Sequence, residues 1–561
     1  MPITTSPNKS SALETTAIQP HYLMWFRRDL RVRDNTALTA LCERAHLNEG
    51  QVTAVFFFTP EQWQSHDNSL SQLDLIARTL PKLAQDLNQQ LNITLTVYVC
   101  PQFSDCVGAI SELCDSQNIS GVMANREYEG NEIARDEQLA KRLAKKDIEF
   151  IRWHDQCVLP PKSITTNDDS MYQVFTPFYK KWQHTLDTSP IQIHEAQAIN
   201  TDNSTDNSTN NSATCKDKLL ALTQTTASAN TVETITILGE NVVKDYLGSL
   251  KDAHTNQAMQ PVDREAQLDQ ARDAYPAGEV AACHRLDQFI ADDIDNYNVS
   301  RDVPSLQATS QMSAYLTIGS ISARYCYLQA TRALNSNSES EAYVDSDAGD
   351  VGNSNDINRW ISELAWRDFY RHVLADKPAL IRHYAYKDEL DIGINWSYDH
   401  DDFDAWCAGK TGVPLVDAAM RCLSATGFMH NRLRMVTAMF LTKDLLIDWR
   451  WGERYFMQQL IDGDFASNNG GWQWSASTGT DAAPYFRIMN PFSQAKSHDP
   501  DGIFIKTWLP ELKEVPASIL HSEDKLRKML ATNGQLVKID YPVPMVEHKV
   551  ARQLAIAEFK K

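Results

Sequence analysis

Residues 71–99 read SQLDLIARTLPKLAQDLNQQLNITLTVYV. The first twenty carry leucines and an isoleucine at helical spacing, and the last seven, ITLTVYV, form a β-branched and aromatic run of strand length. A helix that feeds directly into a strand is half of a βαβ repeat. The pattern recurs: HYLMWF at 21–26, VTAVFFF at 52–58 and GVMANRE at 121–127 are strand-length runs, and TALTALCERA at 36–45 is another helical segment. From His21 to about residue 155 this alternation predicts an α/β domain, a doubly wound parallel sheet with helices on both faces. Ligands of such sheets bind at the carboxyl ends of the strands. Neither GxGxxG nor GxxxxGK[ST] occurs in it, which argues against an ordinary dinucleotide or nucleoside triphosphate loop.

The chain of 561 residues is too long for one core, so two or three domains are expected. The first twenty residues lack an apolar segment and read as a disordered tail, with no signal peptide. Residues 156–265 read as a long acidic interdomain connector, containing the Asn/Ser/Thr-rich stretch AINTDNSTDNSTNNSATC at 198–215. From 266 to 555 the period becomes helical, as in EVAACHRLDQFI at 279–290 and INRWISELAWRDFYRHVLA at 357–375, which predicts a larger all-α domain. A second acidic insert, VDSDAGDVGNSND, interrupts it at 344–356. No apolar run reaches the roughly 18 residues of a membrane span. The ten cysteines show no CxxC spacing, so neither a metal site nor a disulfide framework is expected, and the pattern fits a reducing cytoplasm. Net charge is −20, which opposes a nucleic-acid partner, yet residues 421–454 carry six Arg/Lys against three Asp/Glu, so a local basic face remains open. No heptad repeat is evident, and a monomer is expected.

Three stretches carry polar chemistry. WISELAWRDFY places Glu363, Trp366, Arg367 and Tyr370 on one helix face, where a carboxylate beside an indole needs a partner. A core-edge salt bridge between Glu363 and Arg367 would suffice. TSQMS offers Thr309, Ser310 and Ser313 ahead of a helix, a group able to hold phosphate oxygens or simply to cap. DGDFASNNGGWQW at 462–474 mixes two carboxylates, two asparagines, three glycines (one of them Gly463, between the carboxylates) and two tryptophans with no helical or strand period. That mixture does not serve a core.

These pieces, with WFRRDLRVRDN at 25–35, GKTGVPLVDAAMRCL at 409–423, HNRLRM at 430–435 and DWRWGERYF at 448–456, are collinear with the DNA photolyase/cryptochrome flavoprotein family. The chain resembles most the bacterial-type cyclobutane pyrimidine dimer photolyases. That resemblance implies light-driven repair of dimers in DNA by an electron from excited reduced FAD, with the lesion flipped out of the duplex. A cryptochrome-type blue-light receptor or a (6-4) photoproduct repair enzyme are the alternatives within the family.

The resemblance also assigns residues. Tyr297, Thr309, Ser310, Gln311, Met312 and Ser313 would hold the FAD phosphates. Arg367, Arg434, Asp462, Asp464 and Asn468 would surround the flavin, with Arg434 pairing Asp462 and Asn468 facing N5. Glu363, Asn431 and Met435 would meet the lesion, walled by Trp366 and Trp474. Trp396, Trp449 and Trp472 would pass electrons to an oxidised flavin. Arg301, Arg432 and Arg487 would grip DNA phosphates. His66, Asn131 and Glu132 would hold a methenyltetrahydrofolate antenna, although NEIARD also suits an ordinary helix start. Gln311 stands where relatives often carry a base, and Phe428 where a tryptophan is common. The implied place of work is the cytoplasm and its nucleoid.

Overall fold

The structure is a computed structural model and describes residues 19–199, 232–253, 263–341, 352–532 and 539–561. Most of the amino-terminal tail, of the Asn/Ser/Thr-rich stretch and of the 344–356 insert lies outside the described residues. Five strands, β1 His21–Phe26, β2 Gln51–Phe58, β3 Thr94–Val99, β4 Ile119–Asn125 and β5 Glu149–Trp153, form one sheet in the order β3-β2-β1-β4-β5. Every pairing is parallel. The order reverses between β1 and β4, and the crevice at their carboxyl ends is where such sheets take ligands. Alternate side chains serve opposite faces: Tyr22, Met24 and Phe26 enter one apolar core, Leu23 and Trp25 another.

The first of those cores continues into the carboxyl-terminal helices and includes Tyr297, Met312, Trp360 and Phe369. The rest of the described residues are mostly helical, with a further core around Trp406, Trp449 and Trp472.

Parts of the expected acidic connector are built structure. The helix Phe175–Thr188 buries Phe178 and Trp182, and the Trp182 indole N–H donates to Asp368 Oδ2 at 3.0 Å. The helix Val232–Ala253 lies along Leu70–Asp86, burying Ile235, Val242, Val243 and Tyr246. Gly239 lets the two backbones approach, since a Cβ there would stand 3.1 Å from that of Ala77. The acidic average of the connector conceals this apolar stripe.

The stretch WFRRDLRVRDN turns out to be the joint between the domains. Arg31 Nη2 meets Asp155 Oδ2 at 2.5 Å, Arg324 Nη2 meets Asp155 Oδ1 at 2.9 Å, and Arg324 Nε meets Asp34 Oδ2 at 3.1 Å. Both carboxylates are wholly buried. Burial alone would raise the pKa of Asp155, but Arg31 and Arg324 outweigh it and hold the carboxyl far below its usual range. Gly319, with φ of +75°, completes the joint: a Cβ there would fall 2.2 Å from the Arg28 carbonyl oxygen. Removing one partner of a buried ionic cluster strands the others. Asp34→Ala is expected to lose about 3–5 kcal/mol of unfolding free energy in urea titrations; a loss below about 1 kcal/mol would show that the joint does not depend on this charge.

Candidate active site

One cavity of about 520 Å³ opens into the helical domain, a size in the range of cofactor pockets. Three helices furnish most of its wall. The Gly352–Asp376 helix brings Glu363, Trp366, Arg367 and Tyr370 to it, and Asn431–Met439 brings Asn431, Arg432, Arg434 and Met435. Phe465–Ala476 brings Ser467, Asn468, Gly471, Trp474 and Ser475, positions spaced along one face. Tyr297, Thr309, Ser310, Gln311, Met312 and Ser313 line the same space.

DGDFASNNGGWQW is therefore a turn followed by a helix. Asp464 is its N-cap, accepting from the Ser467 N–H at 2.9 Å while pairing with Arg371 at 2.6 Å. Burial would raise the Asp464 pKa, yet Arg371 and Arg367 overcome it and hold the carboxyl at about 2. Asp462 accepts both a 2.8 Å and a 3.0 Å bond from Arg434 Nη2, so the expected pair forms. The Asn468 amide nitrogen donates to the Glu453 carbonyl at 2.9 Å, which turns its oxygen away from that bond. The two glycines of the helix act differently. A Cβ on Gly470 would collide with the Tyr370 ring at 2.2 Å, whereas one on Gly471 would meet no atom within 4 Å, in space that faces the cavity.

The salt bridge expected between Glu363 and Arg367 does not form. Glu363 pairs with Arg301 at 2.5 Å and with Arg359 at 3.8 Å. Arg367 instead donates to the carbonyls of Gln156 and Leu316, the latter at 3.1 Å. Trp366 is held flat by Phe175, with ring centroids 3.7 Å apart and planes within 9°. Gln311 sits at positive φ, and its side-chain oxygen accepts from Arg285 Nη1 at 2.6 Å, so a guanidinium stands behind the position that lacks a base. At Phe428, the Arg434 guanidinium lies 5.5 Å above the ring.

Trp472 reaches the cavity from the second core, its ring against Phe456 and against Gly452, whose Cβ would fall 2.1 Å from it. Trp449 is on the same helix as Gly452, one turn earlier. The indole N–H groups of Trp449 and Trp396 donate to one oxygen, Asp391 Oδ1, at 3.1 and 3.3 Å. Arg301 and Arg432 line the cavity, while Arg487 is on an exposed turn outside its lining.

At the sheet, His66 Nε2 accepts from Asn131 Nδ2 at 2.8 Å and His66 Nδ1 stands 3.8 Å from Glu132 Oε1. Burial first, then Arg28, lowers the His66 pKa to about 4, so the ring is neutral. Next to Glu132, a small space of about 50 Å³ lies among Trp25, Arg27, Arg28, Phe103, Glu132 and Arg135.

A family model described as DNA photolyase matches residues 22–198, and one described as the FAD binding domain of DNA photolyase matches residues 360–561. Deoxyribodipyrimidine photo-lyase of Vibrio cholerae is 38% identical over 541 residues, which span 96% of this chain and 99% of the relative. The chain belongs to the DNA photolyase family. Among solved structures, a bacterial class III photolyase from Agrobacterium tumefaciens superimposes with a TM-score of 0.75 at 27% identity, covering 98% of this chain and 99% of that one. A cryptochrome of Synechocystis gives 0.70 at 25% identity, with coverage of 97% and 99%. No helix of the described residues is long and apolar enough to cross a membrane.

Within this photolyase fold the cavity suits FAD by its own chemistry. It offers hydroxyls at Thr309, Ser310 and Ser313, paired charges at Arg434–Asp462, and open space over Gly471. Sequence reasoning missed Arg371, Arg285, Asp391 and Asp302. Each is polar and within reach of an assigned residue only after folding, so nothing in its local sequence marks it.

Glu132 supplies a pH test. Burial, then repulsion from Glu129, pushes its pKa up to about 8 against the attraction of Arg28, and its Oε2 has no hydrogen-bond partner. A carboxyl with a raised folded-state pKa binds its proton more tightly than the unfolded chain does. Stability from this group is therefore present below the unfolded value and lost as pH rises from there through about 8. Glu132→Gln is expected to flatten that loss, read as melting temperature from pH 5 to about pH 9; identical pH profiles would show that the carboxyl is ionised throughout.

Proposed function

We propose that this protein is a light-driven repair enzyme that splits cyclobutane pyrimidine dimers in DNA, with FAD as its cofactor. The observation that supports it is a single cavity: Glu363, Asn431, Met435, Trp366 and Trp474 share it with Arg434, Asp462, Asp464 and Asn468. A flavoprotein that only bound DNA would not need the first set. When bound and reduced, FAD supplies the light-excited electron that opens the dimer.

The chain's own residues bind, orient and neutralise. Thr309, Ser310 and Ser313 offer hydroxyls to a diphosphate, and Arg285 orients the Gln311 amide beside them. Arg434 and Asp462 give the ring's polar edge a donor and an acceptor. The Asn468 oxygen, released by the bond of its nitrogen to Glu453, accepts the N5–H of a reduced ring without adding charge. Trp366, braced by Phe175, and Trp474 form the apolar wall for a lesion that has left the duplex, as photolyase substrates do. Glu363, which Arg301 holds in the free protein, would once released and protonated offer a carboxyl O–H where charge develops on a thymine carbonyl. Arg301, Arg432 and Arg487 are proposed contacts to backbone phosphates.

Trp396, Trp449 and Trp472 are proposed to carry electrons inward to an oxidised flavin, the outer pair fixed by Asp391. For the antenna we favour methenyltetrahydrofolate at His66, Asn131 and Glu132.

Illumination at roughly 370–450 nm, a flavin and folate absorption range, is expected to restore thymine absorbance in a dimer-containing oligonucleotide. Absence of recovery with reduced FAD bound would refute the proposal. Glu363→Ala is expected to retain FAD and to lower the splitting rate about five- to tenfold, the worth of one hydrogen bond; loss of flavin would mean the residue belongs to cofactor binding. Trp472→Phe is expected to slow photoreduction of the oxidised cofactor at least about tenfold while repair by chemically reduced enzyme is unchanged. Equal photoreduction would remove Trp472 from the electron path.

A further inference from the structure

The cavity rim carries an ion pair that the lesion and cofactor assignments do not use. Asp302, in the segment that follows the Tyr297–Ser300 helix, accepts from Arg432 Nη2 at 2.6 Å and stands 3.8 Å from Arg301 Nε. Both members of the Asp302–Arg432 pair line the cavity and are partly exposed. Beside the pair Arg432 Nε is buried without a partner, while the buried His430 ring interacts with the Arg301 backbone. His430 Nδ1 accepts from the Arg432 backbone N–H at 3.1 Å, so the proton of the neutral ring is on Nε2, and burial keeps the ring neutral. Asp302, Arg432 and His498 also interact electrostatically.

The donor set is thus larger than its occupant. Arg432 offers at least three N–H groups, and one carboxylate satisfies one of them. A tetrahedral phosphodiester, with one negative charge shared by two non-bridging oxygens and with two ester oxygens besides, can take more. The carboxylate is attached to the chain and always present, so a phosphate that takes the Arg432 Nη2 donor must displace it.

We propose that Asp302 is an internal stand-in for a DNA phosphate: it occupies the Arg432 seat in the free protein and is exchanged for a backbone phosphodiester when damaged DNA binds. This rests on the reading of Arg432 as a DNA contact. The exchange makes Asp302 a determinant of affinity and of its salt dependence, and not a catalytic residue. On binding, the phosphate neutralises Arg432, but the released carboxylate takes up a cation from solution. One counterion fewer is therefore released than the phosphate contacts alone would give.

The test uses the FAD-loaded protein in the dark and a fluorescent duplex containing one dimer, with Kd measured over a chloride series. Asp302→Asn is expected to bind about two- to fivefold more tightly, the worth of a partly exposed ion pair. The slope of log K against log salt should steepen by about 0.9. Asp302→Ser should move both in the same direction, which guards against a defect peculiar to asparagine. In an Arg432→Gln background, Asp302→Asn should have a clearly smaller effect on both quantities, the remainder acting through Arg301 3.8 Å away. Weaker binding or an unchanged slope in both Asp302 variants, with Arg432→Gln still flattening the slope, would overturn the exchange and leave Asp302 as a strut for Arg432. If Arg432→Gln alone alters neither affinity nor slope, the proposal falls because its premise falls, and the two failures are told apart by that single variant.

Discussion

The buried cluster of Arg31, Asp155, Arg324 and Asp34 fixes the α/β sheet against the helical domain, and the positions of both binding regions follow from it. The residues come from the loop after β1, the end of β5 and the start of the helix Ala323–Glu341. Four charges removed from water are held by each other and by hydrogen bonds from Thr36, His194 and Ser322 and to the Gly319 carbonyl, so losing one partner strands the rest. Between this joint and the cavities lies the short helix Ser313–Ile318. Thr317 lines both the 520 Å³ cavity and the 50 Å³ space by the sheet, so the two spaces meet at that residue. A joint of paired charges and a glycine too crowded for any side chain holds the two spaces in a fixed frame.

Inside the main cavity the charges are arranged in layers. Arg434–Asp462 and Arg371–Asp464 are each closed pairs, with Arg367 tied to backbone carbonyls. Arg367, crowded by burial and by Arg371, has its pKa lowered to about 10, still well above neutrality. A wall of this kind presents fixed dipoles and paired ions and needs little rearrangement as charge shifts during a reaction. Asn468 is the neutral member of the layer, oriented by the Glu453 carbonyl, which is a task a carboxylate could not share without repulsion.

How far the sequence reveals this depends on the range of the interaction that specifies each part. Strands and helices with strong local periodicity are readable, and the parallel order follows from alternation. The helix Val232–Ala253 was hidden because its apolar stripe sits inside an acidic, low-complexity neighbourhood, where average composition dominates the reading. Local spacing suggested a Glu363–Arg367 pair, but the tertiary fold supplies Arg301 from 62 residues away and frees Arg367 for two carbonyls. The assigned cavity residues come together because the motif blocks that contain them are each short and rigid. Arg371, Asp302 and Asp391 have no local mark, since their roles exist only across helices.

A protein with a net charge of −20 meets a polyanion at a disadvantage at long range. Long-range attraction gives binding that ignores sequence and structure of the DNA, so its absence leaves affinity to contacts made inside the cavity rim. Those contacts are scarce in the free protein because Arg301 and Arg432 already face Glu363 and Asp302. Undistorted duplex, whose bases stay stacked, can offer phosphate to these arginines but nothing to Trp366, Trp474 or Met435. On the proposed reading a flipped lesion would offer both, and the apolar burial it gains would offset the cost of opening two internal ion pairs. Acidic surface and self-paired arginines therefore act in the same direction: both withhold binding energy until the apolar wall is filled.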